Sequence, residues 1–142
     1  VQALTGMFPK SPEEKVFYGP VQLVRCVGND FCGLVQLRQS YDVELMYGDN
    51  YGYRSGLNSS MVAHLTSKVK DILARDILRD GDLVVDIGSN DGTTLKVFPE
   101  GKYSLLGVDP SGSKFIDYYP PEVKLIADFF SKKISLKICN IH

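Results

Sequence analysis

The spacing of hydrophobic positions changes twice along this chain. Residues 1–20 keep no period and are rich in turn formers (Gly6, Pro9, Pro12, Gly19 and Pro20), so they read as loop. "VQLVRC" (21–26) and "GLVQLR" (33–38) alternate apolar and polar positions around Gly28, Asn29 and Asp30, the pattern of an antiparallel hairpin. "YGDNYGYRSG" (47–56) breaks the alternation with glycines and tyrosines and reads as a loop that places aromatic rings. From Asn58 the period becomes helical. Met61, Leu65, Val69, Ile72, Leu73 and Ile77 fall on one face, and Asn58 or Ser59 can cap the start. "RDGD" (79–82) ends that helix. Its apolar face reads as core, and His64 beside it as a structural residue.

Beyond Gly81, strands alternate with short helices. "LVVDIG" reads as a strand, "GTTLKVF" as a short helix and "YSLLGVD" as a second strand. A short helix near 111–118 and a strand "VKLIA" (123–127) follow. That order predicts an α/β fold with a parallel sheet and right-handed crossovers. The chain accordingly divides into an N-terminal module, residues 1–56, and an α/β unit, residues 57–142. The closing "SKKISLKICNIH" does not have the pattern of a fourth strand with its helix.

Composition changes this picture little, but it removes some functions. Sixteen basic residues against seventeen acidic ones give a net charge of −1, with both signs interspersed. A nucleic-acid or membrane-binding surface is therefore not expected. No apolar run approaches the roughly 20 residues that cross a bilayer. The first residues lack a leader's charged-then-apolar order, and the missing initiator Met suggests a start inside a longer protein. Three cysteines cannot all pair, which points to a reducing, cytoplasmic setting.

The chemistry concentrates in "VVDIGSNDGTTL" (84–95), a strand that breaks into a glycine turn. A dinucleotide turn wants G-x-G-x-x-G, but counting from Gly88 the second and third glycine positions hold Asn90 and Thr93. No Gly-Lys-Ser/Thr follows either, so a P-loop is excluded. What remains is Asp86, Gly88 and Gly92. Gly88 permits a tight turn, and Gly92 lets a ligand lie against the next helix, whose N-terminal N–H groups suit a carboxylate. Asp86 and the turn carbonyls suit an ammonium. The two charges together are those of an amino-acid head group. Asp109, ending "LLGVD", can accept from ribose hydroxyls. In "ADFF", Asp128 can accept from an adenine amine, and Phe129 can cover the base.

These sites in register resemble the S-adenosylmethionine site of class I methyltransferases, with Asn90 joining the cofactor-facing set. "LVRC", "CGLVQL", "YGYRSGLNSSMVAHL", "VVDIGSNDGTTL", "LLGVDPSG" and "ADFF" occur in an order resembling the sugar C-methyltransferase family, over about residues 21–130. That resemblance implies a Rossmann-like methyltransferase sheet behind a zinc-ribbon-like module. It also implies methylation at carbon 3 of a nucleotide-linked 4-keto deoxysugar. The family's zinc is held by four cysteines in two close pairs. Here Cys26 and Cys32, with five residues between them, are the candidates, and the first pair would precede Val1. The zinc site is thus expected to be incomplete, and two idle thiols remain the other reading. The family's later strands and substrate domain would follow His142, so the chain reads as a piece, inactive by itself. Its first strand would then lie at an open sheet edge, which could pair with a second copy. Tyr51 and Tyr53 are the candidate acid/base or hydrogen-bonding groups toward substrate, with packing of the glycine loop as their other role. Arg54 and Ser55 are weaker candidates. Two further functions stay open: a non-catalytic zinc-ribbon and nucleotide-binding interaction module, and a small-molecule O- or N-methyltransferase.

Overall fold

The computed structural model describes residues 2–3, 9, 11–16, 18–28, 30, 32–47 and 51–140. Its internal contacts divide the chain into two compact units, Val1–Gly52 and Tyr53–His142. No helix among the described residues is long and apolar enough to cross a membrane.

The first unit is built from short pieces. β1 (Gln2–Ala3) pairs antiparallel with β2 (Tyr18–Gly19), a pairing within the stretch the turn formers had suggested was loop. β3 (Leu23–Arg25) and β4 (Val35–Leu37) form the hairpin that the alternation predicts, with Leu23 opposite Leu37 and Arg25 opposite Val35. Helix α1 (Val43–Tyr47) follows, started by the Asp42 carboxylate, which accepts from the Glu44 N–H at 2.8 Å. Asn29, at the hairpin tip, and Gly48–Asn50 lie outside the described residues.

The second unit opens with a single 3-10 turn, Ser55–Leu57, and helix α2, Ser59–Leu73. Asn58 caps α2, its side-chain oxygen accepting from the N–H groups of Ser60 and Met61. The helix stops at Leu73, earlier than the periodicity suggests. Ala74 closes it by donating to Lys70 O, and Asp76 takes a left-handed φ of 52°, which no helix continues through. Ile77 is left 63% exposed, outside the stripe it was expected to extend.

β5 (Leu83–Ile87), β6 (Ser104–Val108) and β7 (Lys124–Ile126) form a parallel sheet in the order β5-β6-β7. The expected helix over 92–98 is only a 3-10 turn, Leu95–Val97. The β6–β7 connection is likewise 3-10, Gly112–Tyr118. After β7 the chain forms helix α3, Lys132–Cys139, which the sequence reading missed. Its signals were local: Ser131 caps it by accepting from Ile134 N–H, and Ile134 and Ile138 sit one turn apart.

Alternation along the strands sorts the core into two layers. Val69 of α2 packs with Leu95, Phe98, Leu105, Tyr119 and Val123 on one face. Leu106 and Val108 pack with Ile134 and Ile138 of α3 on the other. A sheet covered on both faces is the setting in which parallel strands are stable, and it leaves the carboxyl ends of the strands as the exposed working edge.

Candidate ligand site at the strand ends

The chain leaves the sheet at Gly88, whose N–H donates to Val108 O at 2.8 Å. Residues 89–92 then form a turn closed by Gly92 N–H to Ser89 O, also at 2.8 Å. Gly88 (φ 78°), Asn90 (φ 50°) and Gly92 (φ 72°) all take left-handed conformations. Asparagine tolerates that region better than most residues with a side chain, which explains its place between two glycines.

Tyr119 holds this turn from beneath. Its hydroxyl donates to Asn90 O at 2.8 Å and lies 2.8 Å from Ser89 Oγ, all within the protein interior. Burial pushes the phenol up to about 12, against the lowering effect of the Ser89 hydrogen bond, so it remains a neutral donor at any ordinary pH. Tyr119→Phe should therefore cost about 1–3 kcal/mol by leaving the buried Asn90 carbonyl without its donor. Urea denaturation measures this, and an unchanged midpoint would remove Tyr119 from the groups that hold the turn.

A strap of residues 53–56 is fastened to the same turn. Asn90 Oδ1 accepts from Ser55 N–H at 2.8 Å, and its Nδ2 donates to Tyr53 O at 3.0 Å. Asp91, 1% exposed, accepts from Gly56 N–H at 2.9 Å through Oδ2. Through Oδ1 it accepts from the N–H and hydroxyl of Thr93. Arg54 Nε lies 3.5 Å from Asp91 Oδ2, and its guanidinium carbon stacks 3.7 Å from the centroid of the Tyr118 ring. The side chain of Asn90, expected to face a cofactor, is thus occupied by the strap.

The two strand-end acids behave differently. Asp109, 8% exposed, accepts from Asn90 N–H at 2.9 Å through Oδ2 and from the N–H and hydroxyl of Ser111 through Oδ1. Of about four lone-pair sites on a carboxylate, three are therefore taken. One acceptor site on Oδ2 is left over. Asp86 is less satisfied. Burial raises its pKa, opposed by a hydrogen bond from Thr94 and reinforced by the charge of Asp109, and Oδ2 is buried without a hydrogen-bond partner.

The remaining expected residues are more dispersed. Asp128, past the end of β7, is exposed and spends Oδ1 on the N–H of Phe129, whose ring is half-buried. Tyr53 is 40% exposed and is carried on the strap. Tyr51 belongs to the first unit, where its ring tilts against Tyr47 at 5.4 Å between centroids. The helix N-terminus expected to receive a carboxylate is absent, because the turn after Gly92 is 3-10 and not α. Cys26 and Cys32 are free thiols, and Cys32 titrates below an ordinary thiol through hydrogen bonds from the Leu34 backbone and the Cys26 side chain. Among the described residues no group of three or more His, Cys, Asp or Glu side chains is placed to hold a metal ion. Two thiols supply half of a tetrahedral zinc set, so zinc does not fit the residues described here.

Sequence reasoning missed Ser89, Asp91, Ser111 and Tyr119. Asp91 and Ser111 were legible in principle: Asp-x-Thr (91–93) and Asp-x-Ser (109–111) are spacings at which a carboxylate bonds the backbone two residues on. Nothing local marked Tyr119, thirty residues from its partner Ser89.

No family model matches the chain. Over 80 residues, 56% of its length, it is 35% identical to the C-methyltransferase NovU of Streptomyces niveus. The matched stretch spans 19% of that relative.

Proposed function

We propose that residues 53–140 form the cofactor-binding part of an S-adenosylmethionine-dependent C-methyltransferase that acts on a nucleotide-linked 4-keto deoxysugar. One observation carries the reading. Asp86, the penultimate residue of β5, and Asp109, the residue after β6, lie at the carboxyl ends of adjacent parallel strands, and the turn after β5 is tied to Asp109 by the Asn90 N–H at 2.9 Å. Such a turn at the carboxyl edge suits a nucleoside with an amino-acid head better than a pyrophosphate, for which the second and third glycines are lacking. The likeness to a named C-methyltransferase supports carbon as the acceptor, and the motif resemblance supports the sugar.

The bound cofactor would supply an electrophilic methyl group on a sulfonium. Everything else falls to the protein. Asp109 and the turn position the nucleoside, and the interior packing beneath keeps water from the turn. A carbon next to a ketone gives up a proton to a suitably placed base, and a donor stabilises the resulting enolate oxygen. Tyr53 is the chain's best candidate for that donor, since it is 40% exposed while its carbonyl is fixed by Asn90.

Isothermal titration of the intact protein with S-adenosylhomocysteine tests the reading. Binding in the micromolar range is expected, with no measurable binding of NAD. Absence of S-adenosylhomocysteine binding would sink it.

A further inference from the structure

Helix α3 and the outer edge of β7 flank a groove of about 900 Å³ that is separate from the site above: no residue of the glycine turn lines it, nor does Asp109. Its floor is apolar, formed by Leu125, Ile126 and Leu136, the last of them 57% exposed. Its rim carries Lys132, Lys133 and Lys137 against a single acid, Asp128. Among the described residues none of these lysines forms an ion pair. We infer that this groove docks an extended acidic segment of a partner protein, which adds to β7 as a further strand. Such docking is independent of the methyltransferase reading.

The backbone of β7 is prepared for it. The sheet order β5-β6-β7 gives β7 a neighbour on one side only. Ile126 O accepts from Asp109 N–H at 3.1 Å, so the backbone groups of Ile126 face β6. Alternation along the strand then turns the N–H and C=O of Leu125 outward, at the edge where the groove lies. Main-chain groups aimed at an open edge are a template for strand addition.

The lysines select what can be added. Lys133 and Lys137 lie one helical turn apart, a spacing of about 6 Å. Alternate side chains of an extended chain share a face and repeat at about 6.6 Å. Carboxylates at every second position can therefore meet both lysines on the α3 side. Apolar residues between them would extend the opposite layer, which Leu125 joins. A second copy of β7 does not fit, because it would bring Lys124 and its neighbouring lysines against the same rim. Single-stranded nucleic acid does not fit either, since no aromatic ring lines the groove to stack a base.

Fluorescence anisotropy of the intact protein with labelled octapeptides tests the assignment. The probes are alternating Glu-Val, alternating Lys-Val, and a sorted control with all its Glu before its Val. The alternating Glu-Val probe should bind at about 10–100 µM, and the other two about tenfold more weakly or worse, as expected for main-chain pairing aided by exposed ion pairs. Lys133→Glu combined with Lys137→Glu should weaken the Glu-Val probe about tenfold and tighten the Lys-Val probe. Both lysines are exposed, and Lys133→Gln with Lys137→Gln asks the same question without the added negative charge. The bound Glu-Val probe should also slow amide hydrogen exchange at Leu125 about tenfold, which ionic attraction alone does not do. No binding of that probe up to about 1 mM would overturn the assignment. So would equal binding of the sorted control, affinity unchanged in both double variants, or an unchanged exchange rate at Leu125. Displacement of the bound probe by an equal concentration of oligodeoxythymidylate would overturn it in favour of a nucleic-acid surface.

Discussion

Replacing Asp109 with alanine is expected to lower stability by about 2–4 kcal/mol and to weaken S-adenosylhomocysteine binding at least a hundredfold. Both effects have one origin. The carboxylate accepts from Asn90 N–H, Ser111 N–H and Ser111 Oγ in a site 8% exposed. Its removal strands two buried backbone donors, each costing about 1–3 kcal/mol when unsatisfied. The bond to Asn90 also sets the height of the glycine turn above the neighbouring strand, so ribose would lose both its acceptor and the surface that presents it. Asp109→Asn separates the contributions. The amide oxygen can still serve Ser111, but an amide nitrogen facing Asn90 N–H sets donor against donor. Urea denaturation and ligand titration on both variants check the expectation. A wild-type urea midpoint for Asp109→Ala would mean that water replaces the carboxylate and that the turn does not hang on it.

The second large effect separates two glycines that look alike in sequence. Gly88 and Gly92 have φ values of 78° and 72°, so alanine at either pays roughly 1–2 kcal/mol for the left-handed backbone. Around Gly88 a Cβ would meet nothing within 4 Å. At Gly92 it would come within 2.9 Å of Tyr119 Cδ1, and the ring cannot retreat without giving up Asn90 O and Ser89 Oγ. Gly92→Ala should therefore cost about 3–4 kcal/mol against about 1–2 for Gly88→Ala. The ligand effects should run in the opposite order relative to stability. The open space at Gly88 is available to a ligand, so Gly88→Ala should weaken binding more than its small stability loss explains. Equal urea midpoints for the two variants would refute the role given to Tyr119.

That pair also marks where the sequence was legible. The left-handed turn could be read from two glycines four apart, but the reading of Gly92 as room for ligand overlooked the tyrosine behind it. The parallel strands, the β3–β4 hairpin and the start of α2 were legible because alternation, helical period and an Asn cap are local signals. The end of α2 was not, since Ile72 and Ile77 continue the apolar spacing while Asp76 bends the backbone away. The helix over 92–98 failed for a related reason. Thr93 and Thr94 follow an aspartate that bonds Thr93 itself, and this local bond competes with helical pairing. Asp86 and Asp109 stood out as acids at strand ends. Arg54 stood out only as a weaker candidate, and its pairing with Asp91 was missed because that contact runs across thirty-seven residues of chain.

The strap has a consequence for how the molecule assembles. Ser55 and Gly56 meet Asn90 and Asp91 across a sequence separation of 35 residues, a loop that contains all of α2 and β5. Closing such a loop must be offset by contacts that exist only once the loop is shut. The glycine turn therefore has no stable local precursor: in an unfolded chain its four left-handed or buried residues have neither Tyr119 beneath them nor the strap above. Ligand competence should emerge late, after helix and sheet have docked, and a nick anywhere between Gly56 and Asp86 would separate the two halves of one site.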